Sequence, residues 1–168
     1  MAVKRLNHAV LYVRNVDRSV RFYQEALGFT VVVQFPGAAF LSVPDSHNDH
    51  DLGLFAIGEA AADSPAGRGA VGLYHLAWEV ETLGELQDVA ERLSSMGSLV
   101  GASDHSTTKA LYAKDPDGIE FEVSWLVPAD LIDDDLRKAV AKVLPLDLPR
   151  EIDRYGADRR GLETVVYR

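Results

Sequence analysis

Leu6-Asn7-His8-Ala9-Val10-Leu11-Tyr12-Val13 recurs 67 residues later as Leu73-Tyr74-His75-Leu76-Ala77-Trp78-Glu79-Val80, with the Leu, the His and the closing Val in register. Each copy reads as a strand, and each runs into an amphipathic helix. Val16, Val20, Tyr23 and Leu27 line one face of the first helix, and Leu86, Val89, Ala90 and Leu93 one face of the second. Asp17 is placed to open the first helix and Gly28 to close it. Thr82-Leu83-Gly84-Glu85 is a capping-box pattern, and Gly97 follows the second helix. Strand-like runs complete each half, over 30–34, 38–43 and 52–57, then over 99–102, 109–114 and 119–125. The chain therefore reads as an α+β protein of two βαβββ modules, the first over about 4–57 and the second over about 71–126.

The segment 58–70, rich in Ala, Gly and Pro, reads as an exposed link between the modules, and one domain over 1–127 is expected. Residues 128–168 form an extension. It carries one helix with Ile132, Leu136, Ala139, Val140 and Val143 on a face, then a short strand-like run from Thr164 to Tyr167. With 47% hydrophobic residues the chain can bury a full core. Its apolar runs fall short of a membrane span, and the start Met-Ala-Val-Lys-Arg lacks a signal core, so a cytoplasmic protein is expected. A net charge of -9 without a basic stripe argues against a nucleic-acid partner. The absence of cysteine removes thiolate ligands and thiol nucleophiles, so any metal must sit on nitrogen and oxygen.

Chemistry concentrates in DHSTTKALYAKDPDGIEFE, residues 104–122. The turn Asp115-Pro116-Asp117-Gly118 separates two strand-like runs, so the segment reads as a hairpin carrying His105, Tyr112, Glu120 and Glu122. Glu120 and Glu122 share a strand face. A buried carboxylate there requires a compensating cation. If the modules pack about a pseudo-twofold axis, His8 and His75 are equivalent positions, and one of the two glutamates completes a cluster. Two His and one carboxylate match the facial triad of non-haem Fe(II) oxygenases, and Mn(II) fits the same donors.

Over residues 4–126 the chain resembles the vicinal oxygen chelate superfamily of glyoxalases, bleomycin-resistance proteins and dioxygenases. Within it the chain is most like the one-domain type I extradiol ring-cleaving dioxygenases. The family signature is a His, an apolar residue and Tyr, an acidic-Pro-x-Gly turn and a Glu; here these are His105, Leu111, Tyr112, Asp115 to Gly118 and Glu122. The resemblance implies two modules curled around a metal held by His8, His75 and Glu122, the Glu lying four residues beyond the turn glycine Gly118. Glyoxalase I takes a fourth carboxylate from the last strand of its first module, where Leu54 stands in this chain. His50, at the start of that strand, falls at the acid/base position of the extradiol enzymes, and only His47 lacks an assignment.

The implied activity is ring cleavage of a catechol-type diol by dioxygen with Fe(II). Tyr112 would hydrogen-bond the bound diol, and His50 would give and take a proton near neutral pH. His105 would assist by contacting substrate or orienting Tyr112, with Asp104 fixing its tautomer. A homodimer is expected. Two other readings belong to the same resemblance: a non-redox metalloenzyme of the glyoxalase or fosfomycin-resistance kind, disfavoured by His50 and Tyr112, and a metal-free drug-binding protein, disfavoured by the intact triad.

Overall fold

The computed structural model describes residues 3, 5–66, 69–139 and 142–162. The first module runs β1 (Ala9–Val13), α1 (Val16–Leu27), β2 (Thr30–Phe35), β3 (Ala38–Ser42) and β4 (Leu52–Ala56). The second runs β5 (Leu76–Glu79), α2 (Leu83–Ser95), β6 (Leu99–Asp104), β7 (Thr108–Lys114) and β8 (Glu120–Leu126). Each module builds its own sheet in the same order, β1-β4-β3-β2 and β5-β8-β7-β6, the outer first strand parallel and the others antiparallel. A bulge also recurs, between Val31 and Val33 and between Leu99 and Gly101. The repeated sequence thus folds as a repeated unit with matching irregularities.

Both strands that carry the repeat start later than the sequence predicts, at Ala9 and Leu76. Their parallel pairing begins at Ala9 opposite Leu52 and at Leu76 opposite Phe121, so His8 and His75 lie one residue ahead of the ladder rather than within it. Asn15, not Asp17, caps α1, its side chain accepting the Arg18 N–H; Asp17 sits in the first turn, where its charge suits the helix dipole. Gly28 closes α1 with φ 75, and the Thr82–Glu85 box forms with both of its hydrogen bonds.

Two compact units are present, one of Met1–Pro65 with Asp115–Gly118, the other of Ala66–Lys114 with Ile119–Arg168. In the first, Leu11, Val13, Val20, Tyr23, Leu52 and Leu54 are buried between the sheet and α1. The Asp115–Gly118 turn belongs to this unit: Asp117 accepts from the Arg14 and Arg18 guanidinia, and Asp115 from the Tyr23 hydroxyl. In the second, Leu111, Phe121, Val123 and Trp125 face Leu83, Leu86, Val89 and Leu93 of α2.

The extension folds onto the second module with more structure than a single helix. A 3-10 turn (Ala129–Leu131), α3 (Asp134–Ala139), β9 (Leu144–Pro145) and α4 (Leu148–Tyr155) follow β8. β9 pairs with β6 as a fifth strand, and α4 starts on an Asp147 cap with Pro in its first turn. The helix expected over 132–143 is the shorter α3. The run from Thr164 to Tyr167 lies outside the described residues. No helix among the described residues is long and apolar enough to cross a membrane.

Candidate functional site

In the second module the pairing register assembles a row of polar groups on one sheet face. Ala77 stands opposite Glu122, and Glu122 opposite Tyr112. His75, two residues before Ala77, shares that face by alternation. Its Nε2 lies 3.1 Å from Glu122 Oε2, with both side chains largely buried. Glu120 stands opposite exposed Lys114 instead, so Glu122 is the carboxylate that meets His75. Tyr112 Oη lies 2.9 Å from His105 Nε2. Burial, with the Glu122 charge behind it, pushes the Tyr112 phenol up to about 12, so it remains a proton donor at neutral pH. His75, Glu122, Tyr112 and His105 therefore form one connected row.

The first module repeats this row with different residues. Val10 stands opposite Gly53, and Gly53 opposite Phe40, at the places of Ala77, Glu122 and Tyr112. The counterpart of Glu122 is thus Gly53, not Leu54, which pairs with Leu11 and is fully buried on the opposite, α1-facing side. A Cβ at Gly53 would meet Phe40 and Val10 at 3.4 Å, so the two side chains flank the position in ordinary contact. No fourth carboxylate stands there. His50 packs on this face, its ring 4.5 Å from that of His8 and 4.8 Å from that of Phe40.

A loop network that the sequence reading missed fixes His8. Asn7 Oδ1 lies 2.8 Å from His8 Nδ1, and Asn7 Nδ2 donates to Asn48 Oδ1, which sets the amide so that its oxygen faces the ring. The proton is therefore on His8 Nδ1, and the lone pair on Nε2. Asn48 is held in turn by Asp51 (2.6 Å) and by the Asn7 carbonyl, and it also accepts from Arg5. Burial would raise the Asp51 carboxyl, but hydrogen bonds from Asn48, the Val43 N–H, Ser46 and Ser42 outweigh it and hold the group below its ordinary value. The sequence signal was the Asp45–Asp51 polar loop itself, rich in residues that bond their own backbone.

Asp104 does not reach His105. Its Oδ1 accepts from Ser106 N and from Lys109 Nζ, so orientation of His105 comes from the Tyr112 hydroxyl. Among the described residues no three of His, Cys, Asp or Glu gather closely enough to hold a metal ion. The donors nevertheless suit one: two ligands at right angles, each about 2.1 Å from an ion, sit about 3.0 Å apart, and His75 Nε2 and Glu122 Oε2 are 3.1 Å apart. His75 Nδ1 is buried without a hydrogen-bond partner.

A paired βαβββ fold with a His–Glu–Tyr–His row defines the class. The chain belongs to the Glyoxalase/Bleomycin resistance protein/Dioxygenase superfamily, which matches residues 5–123. It is 32% identical over 118 residues to biphenyl-2,3-diol 1,2-dioxygenase 2 of Rhodococcus globerulus, covering 70% of this chain and 60% of that protein. It is 31% identical over 118 residues to catechol-2,3-dioxygenase of Bacillus subtilis (strain 168), covering 70% and 40%. The chain thus spans about half the length of these curated relatives. Among solved structures, a glyoxylase/bleomycin resistance protein/dioxygenase domain from Frankia sp. EAN1pec aligns with TM-score 0.64 and 22% identity, over 76% of this chain and 96% of that one. The fosfomycin resistance protein FosX of Listeria monocytogenes aligns with TM-score 0.56 and 15% identity, over 73% and 93%. Both likenesses are of fold.

Proposed function

We propose that this chain is a non-haem Fe(II)-dependent extradiol dioxygenase that cleaves a catechol-type aromatic diol. The observation that carries the reading is the row His75–Glu122–Tyr112–His105, in which a ligand-type pair adjoins a phenol kept protonated. His75, Glu122 and His8 would be the residues that hold the metal, with Mn(II) the alternative to Fe(II). Bound there, the metal would lower the cost of removing a diol proton and would provide an electron path from diol to dioxygen.

The remaining groups handle substrate and protons. Tyr112 Oη donates a hydrogen bond to a diol oxygen, and His105 Nε2 steadies that hydroxyl from behind. His50 takes and returns a proton at its imidazole; Phe40, edge-on against its ring, fixes its orientation. The Asn7–Asn48–Asp51 network keeps the His8 Nε2 lone pair available. Gly53 in place of a fourth carboxylate separates this site from four-ligand glyoxalase chemistry. A homodimer in the cytoplasm belongs to the same reading, and light scattering on the purified protein checks the dimer.

The test is anaerobic loading with Fe(II), then air and a panel of catechols, recording oxygen uptake and the yellow ring-opened product. Uptake with colour is expected. Stoichiometric iron without uptake on any diol contradicts the proposal in favour of a non-redox metalloenzyme, and failure to bind any metal favours a sequestering role.

A further inference from the structure

We propose that the extension beyond residue 127 is a positioning element for His105 and Tyr112, acting through Glu151 and Lys109 and through Leu136 and Ser106. The role is stated for the proposed active site and rests on that reading. Lys109 is fully buried on β7, on the opposite face from Tyr112. Its ammonium lies 2.6 Å from Asp104 and 3.0 Å from Glu151 of α4, which is itself 5% exposed. Desolvating a cation and two carboxylates is costly enough that apolar side chains of the same size commonly serve stability as well or better. Lys109 Nζ hydrogen-bonds Asp104 and faces Glu151 Oε2 as an ion pair without hydrogen-bond geometry, so what the ions supply and apolar groups do not is a fixed charge partner for each side chain.

These contacts converge on the β6–β7 turn. Asp104 Oδ1, held by Lys109, also takes the Ser106 N–H at 2.7 Å. Ser106 is a non-glycine residue at φ 70 and is buried. Such a conformation persists only where the surroundings over-determine it, and it concentrates at functional positions. The extension supplies one of the restraints, the Ser106 hydroxyl donating to the Leu136 carbonyl of α3 at 2.6 Å, and the end of the second module another, the Val127 N–H donating to the Thr107 carbonyl at 2.9 Å. His105 is the first residue of this turn, its N–H bonded to the Thr108 carbonyl and its ring to Tyr112. α4 is anchored independently by Tyr155 packing on Trp125 at 5.5 Å, and the segment that follows it by the Trp125 indole N–H donating to the Arg159 carbonyl. Leu136 and Glu151 lie beyond the residues that the superfamily matches, so the clamp is a property of this chain and not of the shared domain.

The test uses full-length, metal-free protein labelled with 15N-histidine, the His105 ring signals being assigned by their loss in His105→Gln. Glu151→Gln and Ser106→Gly should each shift and broaden the His105 signals while leaving those of His50 in place, and Glu151→Asp should restore them in part. Ser106→Gly keeps the test decisive if Glu151→Gln fails to fold, because glycine adopts φ 70 without strain. With Fe(II) and a catechol, both variants should lose about tenfold in kcat with KM nearly unchanged, as for a displaced catalytic group. Unmoved His105 signals in the folded variants would overturn the proposal. A wild type that consumes no oxygen would overturn the extradiol reading instead, with the ring signals still deciding the coupling.

Discussion

Asp51 gathers the hydrogen bonds of the loop before β4, and through Asn48 and Asn7 those bonds end on His8. A carboxyl held below its ordinary value stabilises the folded state at neutral pH. That contribution is lost as pH falls through the folded value, beneath the usual carboxylate range. Calorimetry in acid should therefore show wild-type Tm dropping below about pH 4, with part of that slope absent in Asp51→Asn. At pH 7 the same variant should lose about 1–3 kcal/mol, since its partners are left half-satisfied. His50→Phe should retain iron and catechol yet lose about 10²- to 10⁴-fold in turnover, the range for a proton-transfer group; turnover retained would remove His50 from the chemistry. At this scale the sequence exposed residue types but not faces. Period-2 alternation put Glu120 and Glu122 on the same side; the resemblance chose Glu122 by its spacing from Gly118, and the register opposite Tyr112 and Ala77 gives the physical separation. A one-residue slip likewise turned the expected Leu54 into Gly53, because adjacent residues face opposite ways.

Elements were legible wherever local chemistry is self-sufficient. The capping box at Thr82, the αL glycine at Gly28 and the apolar stripes of α1 and α2 all depend on neighbours in sequence. Strand starts were not, because a strand begins where its partner begins, and the partners of β1 and β5 lie more than forty residues away in sequence. The extension was the least legible element: its anchors are backbone groups and buried ions that answer to the second module, not to local periodicity. Gly161 illustrates this. A Cβ there would stand 2.9 Å from the Leu126 carbonyl and 3.1 Å from the Trp125 indole nitrogen, and its N–H donates to the Glu81 carbonyl. Gly161→Ala should accordingly cost about 1–3 kcal/mol, the range for overpacking against fixed atoms, seen as a lower Tm. An unchanged Tm would mean that this end of the chain is not docked as described.

For the whole molecule, two modules with the same strand order and the same bulges carry unequal chemistry. Glu122 and Tyr112 in one are Gly53 and Phe40 in the other, so a duplicated frame has one polar row and one apolar row. The proposed metal binding would give this a thermodynamic signature. Fe(II) or Mn(II) at about a hundred times its dissociation constant should stabilise the fold by about 2.7 kcal/mol. The gain should vanish on chelation and be absent in Glu122→Ala, read as the shift in Tm under anaerobic conditions. The most direct test of ring cleavage is turnover of a catechol under ¹⁸O-labelled dioxygen, followed by mass spectrometry of the product. A ring-opened product carrying both atoms of the labelled dioxygen is expected; a product without label, or an intact diol in the presence of stoichiometric iron, would rule out extradiol cleavage.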